Sequence, residues 1–136
     1  MNSYNIKKIH DACPNLFSNK DPRQPINAYS FECQDGWFNL LFEALTQIEA
    51  IVCTMNMRAR QDYRVVQIKE KFGTLRLYMD GSLHEDIQAI IRTAENKSSQ
   101  TCERCGAPGT RRGKGWIVTQ CDNCEEELAE ARKGKG

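Results

Sequence analysis

Residues 63–80 read YRVVQIKEKFGTLRLYMD, and this stretch decides the fold. Val66 and Ile68 alternate with Gln67 and Lys69, and Leu75, Leu77 and Met79 alternate with Arg76 and Tyr78. A period of two sends successive side chains to opposite faces of a strand. With Phe72-Gly73 between the runs, the reading is an antiparallel hairpin with one apolar and one basic face. On its amino-terminal side the period changes. Trp37, Leu40, Leu41, Ala44, Leu45, Ile48, Ile51 and Val52 recur at three and four, which predicts an amphipathic helix over about 36–55. Asp35 is placed to accept backbone N–H bonds at its start. On the other side, Asp80-Gly81 ends the hairpin and Ser82 with Glu85 forms a capping box. Ile87, Ile90, Ile91 and Ala94 then mark a second helix that fades near Ser98-Ser99. Further out, Ile6, Ile9 and Cys13 predict a short helix stopped by Pro14. Pro22 and Pro25 make an irregular connection, and residues 28–33 have strand character.

These elements predict an α+β domain over residues 1–100, with helices packed on a small antiparallel sheet. The composition agrees: of 136 residues, 40% are hydrophobic and 27% charged, which is that of a globular chain. No apolar run approaches the roughly 20 residues that a membrane-spanning helix needs. Residues 1–8 have no apolar core and no cleavage site for secretion, so a reducing cytoplasm and no membrane partner are expected. The net charge of +1 excludes a bulk-charge argument for nucleic acid. Locally the balance differs, since residues 58–76 carry six basic and two acidic side chains.

Seven cysteines are present, an odd number that a closed disulfide set would not use up. Cys13, Cys33 and Cys53 are isolated and read as small hydrophobes or free thiols. Cys102, Cys105, Cys121 and Cys124 form two C-x-x-C pairs separated by fifteen residues, the spacing of a four-thiolate zinc ribbon. Gly106 suits the tight turn after the second cysteine, and the insert around Gly113 and Gly115 fits a hairpin between the knuckles. Four protein ligands leave no open coordination position, so the zinc is expected to be structural. A ribbon over residues 101–125 and a helical or frayed tail over 126–136 complete the organisation. Loss of a ligand in Cys102→Ser should unfold the ribbon and leave the first domain largely intact.

Two surfaces are candidates for binding. In the ribbon, Arg111, Arg112 and Lys114 among glycines read either as an exposed cationic tip for phosphate or an acidic protein, or as charges that offset the thiolates. Trp116 is expected to cover the zinc site rather than to stack on a base. On the hairpin, Gln67, Lys69, Lys71, Arg76 and Tyr78 share a face that can bind single-stranded nucleic acid or simply be solvated. Gln67-Ile68-Lys69 also resembles the Q-x-K strand of restriction-type nucleases, but Asp62 is too close in sequence and Glu32 and Asp35 lack the expected context. His10 and His84 have no Ser or Cys partner at a recognisable spacing, so nucleophilic catalysis is not expected.

Residues 31–37 (FECQDGW), 66–76 (VQIKEKFGTLR), 102–109 and 115–124 together resemble a family of small zinc-ribbon proteins of tailed bacteriophages and prophages. The resemblance covers most of residues 28–125. It implies the cytoplasm of a bacterial host and an accessory role in binding host or phage machinery, and it carries no particular activity. The expectation is therefore a non-enzymatic protein that contacts nucleic acid or a nucleoprotein complex through basic hairpins. The competing expectations are a protein-binding inhibitor of a host or defence enzyme and, less well supported by its motif, a metal-dependent nuclease.

Overall fold

The computed structural model describes residues 1–17, 31–80 and 84–134. Its elements are α1 (Ser3–Ala12), β1 (Phe31–Glu32), a 3₁₀ turn (Asp35–Trp37), α2 (Phe38–Cys53), α3 (Met57–Arg60), β2 (Val65–Lys71), β3 (Thr74–Met79), α4 (Glu85–Ser98), β4 (Thr110–Arg112), β5 (Val118–Gln120) and α5 (Asp122–Lys133). The fold is α+β, with helices on a small, mostly antiparallel sheet and a four-cysteine cluster in the carboxy-terminal region. No helix among the described residues is long and apolar enough to cross a membrane.

The hairpin forms as its period predicts, with one correction. Val65 pairs with Met79 and Gln67 with Tyr78, so Val66 is an extra residue in a bulge. The bulge turns Val65 inward, where it is buried, and leaves Val66 49% exposed. Phe72 and Gly73 both have positive φ, 54° and 80°, as a tight two-residue hairpin turn requires. The sheet also gains a strand on its far side, because Phe31 and Glu32 pair in parallel with Ile68 and Lys69. The strand expected over residues 28–33 is thus seen at Phe31–Glu32, and residues 28–30 lie outside the described set.

Beneath the sheet, α2 presents Leu41, Leu45, Ile48 and Val52, all fully buried at the spacing of one helical stripe. Burying each such side chain is worth about 1.5–3 kcal/mol. Trp37 is also fully buried, as its place at the head of this stripe predicts. Asp35 does not cap α2. Its Oδ1 accepts from Asn2 N (2.8 Å) and Asn5 Nδ2 (3.1 Å), so it ties α1 to the turn instead. The start of α4 differs in the same way. His84 is its cap, with Nδ1 accepting from Asp86 N at 3.2 Å, and Ser82 lies outside the described residues.

The end of α4 closes the sheet edge. β3 is the last strand, and the outward N–H groups of such an edge invite pairing with other chains. Here Leu75 N donates to Ser98 Oγ (2.8 Å) and Leu77 N to a Glu95 carboxylate oxygen (3.2 Å). Ser98 is fully buried for this purpose.

Glu49 is the buried carboxylate of α2, 5% exposed. It accepts from Asn15 N (2.9 Å), Asn15 Nδ2 (2.8 Å) and Leu16 N (3.2 Å), and so pins the chain that follows α1 against the core. Glu49→Leu should cost about 2–3 kcal/mol, because it strands these donors away from water. Glu49→Gln, which keeps an acceptor oxygen, should lose less. Urea unfolding of the three proteins checks the order.

Candidate metal centre and adjoining surfaces

The two C-x-x-C pairs are held by different local structures. In the first, Gly106 adopts a φ of +87° and its N–H donates to Cys102 O at 2.9 Å, while Cys102 N donates to Ala107 O at 2.7 Å. This closes a tight knuckle of the kind that Gly106 predicts. In the second, Cys121 caps α5 and its sulfur accepts from Cys124 N at 3.4 Å. The segment expected as a helical or frayed tail is therefore ordered helix through Lys133, and it begins inside the second pair.

The four sulfur atoms lie within 4.8 Å of one another, and Cys105 Sγ and Cys121 Sγ are 3.6 Å apart. A tetrahedral ion with metal–sulfur bonds of about 2.3 Å separates its sulfurs by about 3.8 Å, so the cluster fits a metal ion. It is the only such group of potential ligands among the described residues. Burial disfavours the Cys102 thiolate, but backbone N–H bonds from Cys121, Cys105 and Arg104 outweigh it and bring the thiol down to about 7. Cys124 is pushed up to about 12 by burial and by its neighbouring sulfurs. One easily formed thiolate among reluctant ones is the arrangement expected of a site that a cation completes. The isolated cysteines differ. Burial pushes both Cys13 and Cys33 up to about 12, which leaves them inert, and Cys53 is exposed.

The cluster is joined to the α+β core by its backbone. Glu103, between the first two cysteines, is the hub of this contact. Its C=O accepts from Gly36 N at 2.7 Å, its N–H donates to Thr119 O at 3.0 Å, and its carboxylate accepts from Gln34 N at 3.1 Å. A Cβ on Gly36 would stand 2.2 Å from Cys102 O, so only glycine admits this approach. Beside it, Trp37 Nε1 donates to Thr101 O at 2.9 Å. A second seam lies at the hairpin turn, where the fully buried Thr119 donates its hydroxyl to Gly73 O at 2.6 Å. Glu103, Gly36 and Thr119 carry no motif of their own, and their roles come from where the chain folds back.

The predicted binding residues divide. Lys69 stands opposite Arg76, Gln67 opposite Tyr78 and Lys71 opposite Thr74, so the basic hairpin face is assembled as expected. Lys71 and Tyr78 are exposed, and Lys69 and Arg76 half-buried. Glu32 is the residue in register with Lys69 on β1, and the row contains no second carboxylate that could make a hard-cation site. The ribbon arginines are not a free tip. Arg111 Nε and Nη2 donate to Phe72 O at 3.2 and 2.7 Å. Arg112 Nη2 bonds Thr110 Oγ1, Gln120 O and Asp122 Oδ1 at 2.8–3.1 Å. Arg104 pairs with Glu127 at 2.8 Å. Lys114 remains exposed at the tip.

Trp116 does not cover the metal site. It is 80% exposed, because Gly113 and Gly115, at φ +114° and +82°, turn the chain so that the indole faces outward. On one side it shares a cleft of about 160 Å³ with Phe72, Glu70, Gly115 and Ile117. Phe72 is itself 58% exposed, with Lys71 Nζ 5.7 Å from its ring centre. Comparison with protein-family models, curated proteins and solved structures gave no match to this chain.

Gly36→Ala should destabilise the protein by about 2–3 kcal/mol, since backbone rather than a flexible side chain would have to yield. It should also speed the loss of bound metal to a chromogenic chelator. Ala substitution at the open Gly115, where no atom lies within 4 Å of an added Cβ, should leave metal release unchanged.

Proposed function

We propose that this protein is a non-enzymatic accessory factor of a bacteriophage or prophage that binds single-stranded nucleic acid across its two hairpin turns and is braced by a structural zinc ion. The observation that carries the reading is the meeting of Phe72 and Trp116, 58% and 80% exposed, at one cleft. Exposed aromatics give bases a stacking surface whatever their sequence. Lys69, Lys71, Arg76 and Lys114 supply cations around it, and no salt bridge engages them among the described residues. Tyr78, 43% exposed, continues the aromatic surface along the basic face. A strand lying over this surface would set phosphates against the lysines and bases against the rings.

Zinc is the ion favoured by four thiolates joined through a hairpin, and with all four positions taken by protein it supports folding rather than hydrolysis. The resemblance to small phage and prophage proteins supports the bacterial cytoplasm as the setting. The engagement of Arg111 and Arg112 within the protein moves the weight of the phosphate contact from the ribbon tip to Lys71, Lys114 and the hairpin face.

Fluorescence anisotropy with labelled single strands and a duplex of equal length tests this. The single strands should bind more tightly, and Trp116→Ala should weaken them by about tenfold, the cost of losing one stacked base. Lys71→Ala with Lys114→Ala should flatten the salt dependence by about one unit of slope. If the metal-loaded protein binds no strand at low salt, the reading gives way to that of a protein-binding inhibitor.

A further inference from the structure

A second and larger cleft, of about 390 Å³, opens on the other side of Trp116, between the β4–β5 hairpin and α5. Its volume falls in the range of about 300–1,000 Å³ typical of small-molecule sites. Arg112, Gln120, Trp116 and Gln34 line it, with Glu125 and Arg132 contributed from α5 and its first residues. Two of these side chains hold buried polar atoms that have no partner: Gln120 Oε1 and Arg112 Nε. Gln120 is 95% buried, being only 5% exposed, so its oxygen cannot turn to bulk water. The rest of the Arg112 guanidinium is fixed, since Nη2 is held by Thr110, Gln120 and Asp122. The cleft thus contains one unpaired acceptor and one unpaired, immobilised donor, under an exposed indole. Buried polar atoms left this way are costly and rare in folded proteins, and they point to an absent partner.

We propose that this cleft seats one unpaired nucleobase of the bound strand, stacked on Trp116 and read at its edge by Gln120 Oε1 and Arg112 Nε–H. This rests on the single-strand reading above. Every base edge offers a donor next to an acceptor, which complements the pair in the cleft. A flat heterocycle also suits a site with one aromatic wall. Arg132 lies where the attached phosphate can be met, and the two arginines outnumber the one carboxylate, Glu125. An aliphatic or acidic peptide side chain would satisfy at most one of the two orphan atoms. The indole therefore separates two stations: the Phe72 cleft, which is indifferent to base identity, and the Gln120 cleft, which discriminates.

The metal-loaded full chain is titrated with oligo(dA), oligo(dC) and oligo(dT) of one length, reading both anisotropy and tryptophan emission. Trp37 is fully buried, so quenching reports Trp116. Wild type should prefer one homopolymer by about tenfold or more, as a two-bond edge contact gives. Gln120→Leu should compress that preference at least about fivefold, with metal content retained. Gln34→Ala, a surface change that keeps the backbone bond to Glu103, provides a second variant should Gln120→Leu not fold, and it too should narrow the preference. Strand binding with quenching but with equal affinity for all three homopolymers, or a preference untouched by both variants, overturns the cleft assignment and leaves the single-strand reading standing. Failure of wild type to bind any homopolymer overturns both.

Discussion

The structure depends on a close backbone contact: the Cys102–Glu103 peptide lying against Gly36. This contact leaves no room for a side chain, and it brings the four-cysteine cluster to the start of α2. Trp37 follows at once, fully buried in the core and bonded to Thr101 O. One residue pair therefore joins the helical stripe to the metal ligands. The Thr119–Gly73 bond and the Arg111–Phe72 bonds repeat the arrangement at the hairpin turn. A four-cysteine module tied at two seams is not an appendage. Its loss should reach the core, which changes the expectation of an independent ribbon that the sequence spacing suggests.

The same seams explain the surface. Arg111 fixes the carbonyl of Phe72, and the turn holding that carbonyl has both residues at positive φ, so the Phe72 ring is directed outward. The ribbon hairpin, held alongside, projects Trp116 next to it. Two exposed aromatics are expensive to keep in contact with water, and here the fold positions them rather than hiding them. A chain with a net charge of only +1 gains its affinity for a polyanion locally in this arrangement, from a few unpaired lysines beside stacking faces.

Much of this was legible in the residues. The periods of two and of 3.6 located β2, β3, α2 and α4, because each element presents a continuous apolar stripe to one core. The cysteine spacing located the metal cluster, because two-residue gaps constrain geometry locally. What stayed hidden depends on contacts between distant segments. The parallel strand at Phe31–Glu32 has too few residues to show a period. The bulge at Val66 arises from pairing, since both Val65 and Val66 are good strand residues. The position of Trp116 follows from two glycine φ values, and Arg111 and Arg112 found carbonyl and carboxylate partners that no spacing reveals. Glu103 shows the limit most clearly: it occupies a variable position of a C-x-x-C pair, yet its backbone and side chain make three of the contacts that join the cluster to the core.

The account claims that metal site and core unfold as one. Native-state hydrogen exchange, with the protein metal-loaded and then chelated, measures this directly. The Leu75 and Leu77 amides, bonded to Ser98 and Glu95 at the end of α4, report the core. Chelation should accelerate their exchange together with that of Gly36 and Glu103. Unchanged protection at Leu75 and Leu77 while Glu103 exchanges freely would contradict the claim and restore an independent module.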